Sequence, residues 1–212
     1  MERRLCIAIP TINRKDLLME ALTYYAQSIP NVTKLIVDNG RQGIQLLDDS
    51  TWVWESKDNL GVAGSWNFLM TKALVNTFTH VLILNDDVIL QKSEEELYKI
   101  VDRYPNSFQV CKPINNWSSF ILPLQVYQEV GFFDERFKKC FFEDNDYHYR
   151  LQLRNIHINY TEDLNPQVYR NSQTIEKDPL LGGYIENREY YLKKWGGLPG
   201  SEKFKTPFYE RV

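Results

Sequence analysis

The chain has 212 residues and a formal net charge of -3 at pH 7, enough length to bury a sizeable core as one large domain or two small ones. Its 43% apolar and 14% aromatic content is that of a globular protein and excludes wholesale disorder. The charge gives no broad basic field for a nucleic-acid backbone, so a phosphate group must be met locally, by a metal or a few placed donors.

Cys6, Cys111 and Cys140 are too few and too scattered for a disulfide framework or a zinc site, which favours a reducing, cytoplasmic compartment. The N-terminus has charge before an apolar run, but that run is only about five residues long and ends in Pro10-Thr11, unlike a signal peptide. No stretch approaches the roughly 20 apolar residues of a membrane span.

Leu5 to Ile9 reads as a buried strand, followed by a polar turn whose Asn13 is placed to cap a helix over Lys15 to Gln27. Lys34 to Asp38 is a second strand, broken at Asn39-Gly40, and Trp52 to Glu55 is a third. NLGVAGSWNFLMTKAL at 59–74 is a glycine-bearing loop running into a helix from about Ser65, and Val81 to Leu84 is the next strand. Ser93-Glu94-Glu95-Glu96 fits a capping box that opens a helix to about Tyr104, with a strand over Phe108 to Lys112. Alternation of strand and helix through residue 112 predicts an α/β fold with a mostly parallel central sheet and helices on both faces.

Beyond residue 112 the pattern is a strand at Ser118 to Leu122, a short helix at Leu124 to Val130, a turn at 131–134 and an acidic helix beginning near FFEDNDYHYRLQLR. Asp178-Pro179 signals a last helix to about Lys194, ended by Gly196-Gly197. The tail KFKTPFYERV has no stop signal of its own and is compatible with more chain beyond. The whole is read as a single domain, with residues 1–112 forming one half and 113–212 the other.

The stretch HVLILNDDVIL at 80–90 sets Asp86 and Asp87 between two apolar runs. Alone it is as readily a solvated turn as a site. In open parallel sheets, however, ligands sit at the carboxyl ends of strands, which puts Asp38 and Asp86-Asp87 on one rim. The dipole of the acidic helix favours negative side chains in its first turn, and Asp146 with Arg150 is an ordinary i,i+4 ion pair. Glu143-Asp144, behind two phenylalanines, has no such structural account. Trp66, Trp117 and Tyr147 are more readily packing than sugar-stacking residues. No histidine pair has metal-ligand spacing.

Six stretches in order, IPTINR (9–14), VDNG (37–40), NLGVAGSWN (59–67), LNDDV (84–88), VGFFDERF (130–137) and FFEDNDYHYRL (141–151), resemble the landmarks of family 2 type glycosyltransferases. Those enzymes have the GT-A fold and invert at the anomeric carbon. LNDDV and the EDND helix are most similar to rhamnosyltransferase-type members, including glycosyltransferase domains that large chlorella viruses encode. The resemblance implies a viral protein acting in host cytoplasm on a UDP-sugar donor of the rhamnose or glucose type and a glycan or glycoprotein acceptor.

It further implies a divalent cation, Mn2+ or Mg2+, held by Asp87 to neutralise the departing diphosphate, with Asp86 binding ribose, sharing the metal or facing solvent. Pro10, Thr11 and Asp38 would line the nucleotide pocket, Asn59 and Gly61 would let backbone approach the nucleotide, and Asn67 would orient it. Asp144 would be the general base that inversion needs, with Glu143 raising its pKa or positioning the acceptor. Two departures stand out: Asn85 occupies a position where an aspartate is common, and Gln167 to Ser172 lacks the histidine that completes many such metal sites. Tyr169 or Arg170 would meet the diphosphate there. A non-catalytic nucleotide-sugar-binding or scaffold module is the alternative. A sugar-1-phosphate nucleotidyltransferase ranks last, because the loop after the first strand has no glycine.

Overall fold

The computed structural model describes residues 3–112, 117–170 and 182–208. Seven strands form one sheet in the order β3-β2-β1-β4-β7-β6-β8: β1 (Leu5–Thr11), β2 (Thr33–Asp38), β3 (Thr51–Glu55), β4 (His80–Leu84), β6 (Phe108–Cys111), β7 (Ser119–Pro123) and β8 (Ile158–Thr161). β3, β2, β1 and β4 are mutually parallel. β7 runs antiparallel to both β4 and β6, while β6 and β8 pair in parallel. Both halves read from sequence thus contribute to the same sheet. A second, two-stranded sheet pairs β5 (Val88–Ile89) with β9 (Val168–Tyr169).

The central strands are apolar without interruption because both of their faces are covered. Cys6, Ala8, Val81 and Ile83 point into a core shared with α2 (Gly61–Val75), α4 (Leu124–Val130) and α5 (Glu143–Leu153). Their neighbours Leu5, Ile7, Ile9, Leu82 and Leu84 point the other way, against α1 (Lys15–Ser28) and α3 (Glu94–Arg103). Each such side chain, fully buried, contributes about 1.5–3 kcal/mol.

The capping box is present: Ser93 Oγ accepts from the Glu96 backbone N–H, and the Glu96 carboxylate accepts from that of Ser93. Asn13 does not cap α1. It adopts a left-handed φ of 55°, and Arg14 holds the cap position without a side-chain bond. α2 begins at Gly61, earlier than its apolar periodicity announces, because the loop before it is tied down by side chains. The last helix, α6, runs Tyr184–Trp195, and the cap read at Asp178-Pro179 lies outside the described residues, as do Asn171 and Ser172. No described helix is long and apolar enough to cross a membrane.

The parallel register sets Thr11 opposite Asp38, and Ala8 opposite Ile83. The carboxyl ends of β1, β2 and β4 therefore open on one rim, where Asn85-Asp86-Asp87 leaves the sheet.

Candidate active site

At the rim the Thr11 hydroxyl donates a 2.7 Å hydrogen bond to Asp86 Oδ2. Burial, and then the charge of Asp87, push the Asp86 carboxyl up to about 7, against the opposing pull of that hydroxyl and of the Arg14 guanidinium. Asp87 is buried, and its carbonyl accepts from the Arg170 backbone N–H at 2.9 Å. The β5–β9 ladder, with Val88 opposite Tyr169, is what brings residues 168–170 beside the acidic pair. The Arg170 side chain itself reaches Glu20 of α1.

Among the described residues no three His, Cys, Asp or Glu side chains gather to hold a metal ion. The rim offers two adjacent carboxylates, one already oriented by Thr11. That donor set fits a hard divalent ion of the Mg2+ or Mn2+ kind, which keeps water and substrate phosphates among its ligands and needs no protein cage.

Asp38 is fully buried and bonded within its own turn: Gly40 N at 2.9 Å, Gln42 N at 2.6 Å and Gln42 Nε2 at 2.9 Å. Gln42 Nε2 also lies 3.4 Å from Thr11 Oγ1, so one amide links Asp38 to the Thr11–Asp86 pair. Sequence reasoning missed Gln42, which carries no motif signal. Pro10 sits half-buried in β1 opposite Val37.

Asn59 Oδ1 accepts from Gly61 N at 2.9 Å and shapes the entry to α2. Gly61 has φ 69°, and a Cβ there would stand 2.9 Å from both the backbone N and O of Lys139. Its small size admits another part of the chain, where a nucleotide was expected. Asn67, expected to orient the nucleotide, faces the turn at 131–135: its Nδ2 donates to Phe133 O and Glu135 Oε1, and its Oδ1 accepts from Phe133 N and the Tyr127 hydroxyl. The amide is fully used inside the fold.

Glu143 and Asp144 open α5. Glu143 is buried, its Oε2 has no hydrogen-bond partner among the described residues, and burial followed by the Asp144 charge pushes its carboxyl up to about 8. Asp144 is raised too, chiefly by burial, although its Oδ1 accepts from Asn145 N at 2.8 Å. A cavity of about 710 Å³ joins this pair to Asn85 at the end of β4, with Trp66, Trp117, Phe141, Tyr184 and Arg188 also in its wall. Trp66 and Trp117 are stacked at 6.2 Å and nearly buried in the core, whereas Tyr147 is packed on Phe133 at 4.0 Å and is not part of the cavity wall.

The segment leading into the pair is strained. Lys139, Phe141 and Phe142 have φ of 62°, 83° and 72°, each costing on the order of 1–3 kcal/mol for a non-glycine residue. Asp146, one turn on, has a purely structural setting: it takes Arg150 Nε at 2.9 Å, Lys194 Nζ at 2.5 Å and Trp195 Nε1 at 2.8 Å. It docks α6 onto α5.

No protein-family model and no curated protein sequence matches the chain. Solved structures do. GalNAc-T7 with UDP, GalNAc and Mn2+ is similar over 91% of this chain at 11% identity and TM-score 0.65, and the chain spans 50% of that structure's length. A putative nucleotide-diphospho-sugar transferase from Desulfovibrio desulfuricans covers 76% of this chain and 80% of its own, at 9% identity and TM-score 0.52. A Drosophila β1,4-galactosyltransferase 7 mutant with manganese, UDP-Gal and xylobiose covers 80% and 68%, at 11% identity and TM-score 0.54. At such identities the likeness is one of fold, and the chain has the GT-A type fold of nucleotide-sugar transferases.

Proposed function

We propose that the protein is an inverting, metal-dependent glycosyltransferase that moves a sugar from a UDP-sugar to a hydroxyl of a glycan acceptor. The observation that carries this reading is a cavity that runs from Asn85, the residue before Asp86-Asp87 at the end of β4, to the Glu143-Asp144 pair. The fold neighbours bound to UDP, sugar and manganese support it. The sequence resemblance favours a donor sugar of the rhamnose or glucose type and a viral protein acting in cytoplasm.

The uridine end of the donor lies along the β1 and β2 ends, where Asp38 acts by fixing the 39–42 turn, with Pro10 and Thr11 beside it. Asp87, with Asp86 held by Thr11, would bind the cation, which when present neutralises charge on the departing diphosphate. Asp144 takes the proton from the acceptor hydroxyl as its oxygen bonds to the anomeric carbon and the bond from that carbon to the diphosphate oxygen breaks. A raised carboxyl is a better match for that proton than a solvated aspartate. Glu143, buried beside it, holds a sugar hydroxyl and limits the negative charge of the pair.

The departures at Asn85 and at residues 167–170 favour one other reading, a nucleotide-sugar-binding module without turnover. Donor hydrolysis and transfer with Mn2+ or Mg2+, for the native chain and for Asp144→Ala and Asp87→Ala, decide between them. Turnover that both substitutions abolish is the expected result. UDP binding with no turnover of any donor selects the binding module.

A further inference from the structure

Asn187 lies outside the cavity wall, yet it grips the segment that delivers the acid pair. From α6 its Nδ2 faces three carbonyl oxygens of one segment, Lys138 at 2.9 Å, Cys140 at 2.8 Å and Phe141 at 3.0 Å, and its Oδ1 accepts from Lys138 N at 2.9 Å. The side chain is buried. Gly183, at the start of the same helix, leaves room for this contact: a Cβ there would stand 2.6 Å from the Lys138 carbonyl oxygen. On the opposite side, Val62 N donates to Lys139 O at 2.6 Å and Gly61 permits the approach.

Between these two grips run the left-handed residues Lys139, Phe141 and Phe142, the last of which caps α5 immediately before Glu143. Side chains other than glycine disfavour this conformation and adopt it only when their surroundings dictate it. Here the surroundings include the Asn187 amide, the Val62 N–H and two glycines. Phe141, Phe142, Glu143 and Asp144 form a continuous part of the cavity wall, so the backbone that Asn187 holds is the backbone that aims the acids.

We infer that Asn187 is a positioning residue, which holds residues 138–142 in their left-handed path and thereby sets Glu143 and Asp144 in the cavity. The consequence for turnover rests on the proposed transferase reaction, and the hold itself does not.

Cys140 reports the hold directly. Its thiol is half-buried in the gripped segment and pushed up to about 12, mainly by burial, while Cys6 and Cys111 are wholly buried in the sheet. Iodoacetamide labelling located by mass spectrometry is compared in the native chain, Asn187→Ala and Gly183→Ala. Cys140 is expected to label several-fold faster in both variants, with Cys6 and Cys111 still protected. Cys140 labelling at the native rate, or all three thiols opening together, overturns the inference.

UDP affinity in the presence of Mn2+ is expected to stay within about two-fold, whereas kcat for donor hydrolysis falls roughly 10- to 100-fold with little change in KM, as for a misplaced reacting group. Ile100→Val, in the α3 core away from the site, serves as the stability control. A kcat per folded molecule equal to that of the control removes the positioning role. A native chain that binds no UDP, with Cys140 still responding, overturns the transferase reading and leaves the hold standing.

Discussion

The hydroxyl of Thr11 and the carboxylate of Asp86 are joined at 2.7 Å across the ends of adjacent parallel strands. The same hydroxyl lies 3.4 Å from the Gln42 amide that binds Asp38. Three strand ends are thus linked by side chains that each contribute to the rim. Thr11→Val keeps the shape and removes the donor, which otherwise stabilises the ionised form of Asp86. A hydrogen bond to a charged group is worth about 1.5–3 kcal/mol, so affinity for UDP with Mn2+ is expected to fall at least about 10-fold by calorimetry. An unchanged affinity would show that Asp86 has no part in holding the cation.

Glu143 leads to a prediction about stability against pH. Burial and then the Asp144 charge push its folded carboxyl up to about 8, from an ordinary value of about 4.5, so between those values the native state binds more protons than the unfolded chain. Stability from this group is therefore complete below about pH 4.5 and is lost as pH rises towards 8. Glu143→Gln, which mimics the protonated acid, is expected to raise Tm at pH 8.5 by a few degrees (about 1 kcal/mol or more) and to leave it nearly unchanged at pH 5. Calorimetric scans at the two pH values measure this. Equal shifts at both would show that the carboxyl is ionised in the native state at either pH.

Much of the fold is legible in the sequence because short apolar runs bounded by turn signals, such as Leu35-Ile36-Val37 before Asn39-Gly40, read as strands covered on both faces. Turn and cap chemistry marks where such runs stop, as at Ser93. The reversal of β7 is not legible, since an apolar run carries no direction. Side-chain destinations are lost for the same reason. Asp38 and Asn67 belong to the motifs, yet their polar atoms are used within the protein. Gln42 and Asn187 lie outside every motif, and only the folded chain brings them to the rim and to the 138–142 segment.

Asn67 yields a prediction that separates fold from ligand binding. Asn67→Ala removes four hydrogen bonds and leaves Phe133 N and the Tyr127 hydroxyl, both buried, without their acceptor. Each stranded buried group costs about 1–3 kcal/mol, so a loss of roughly 2–4 kcal/mol is expected in urea unfolding. Affinity for UDP, measured where the variant is folded, is expected to remain within about two-fold. A large affinity loss at full folding would restore Asn67 to the nucleotide site.

Lys194 is the cation on which α6 docks. It is 3% exposed and bonds Asp134 at 2.7 Å and Asp146 at 2.5 Å. Asp146 itself is fully buried and also takes Arg150 and the Trp195 indole. Lys194→Met leaves two carboxylates facing a site with no ammonium, and breaking a buried pair costs about 3–5 kcal/mol. Asp134 keeps Arg136 and Asp146 keeps Arg150, so neither carboxylate is left wholly unpaired and the loss in urea unfolding is expected near the lower end of that range. Because the pair is buried, the cost should change little between low and high salt. Since Asn187 sits on the same helix, an undocked α6 should also expose Cys140 to alkylation well before the sheet unfolds. Loss of the whole structure in one step, with Cys6 and Cys111 labelling at the same urea concentration as Cys140, would show instead that α6 and the sheet form one cooperative unit.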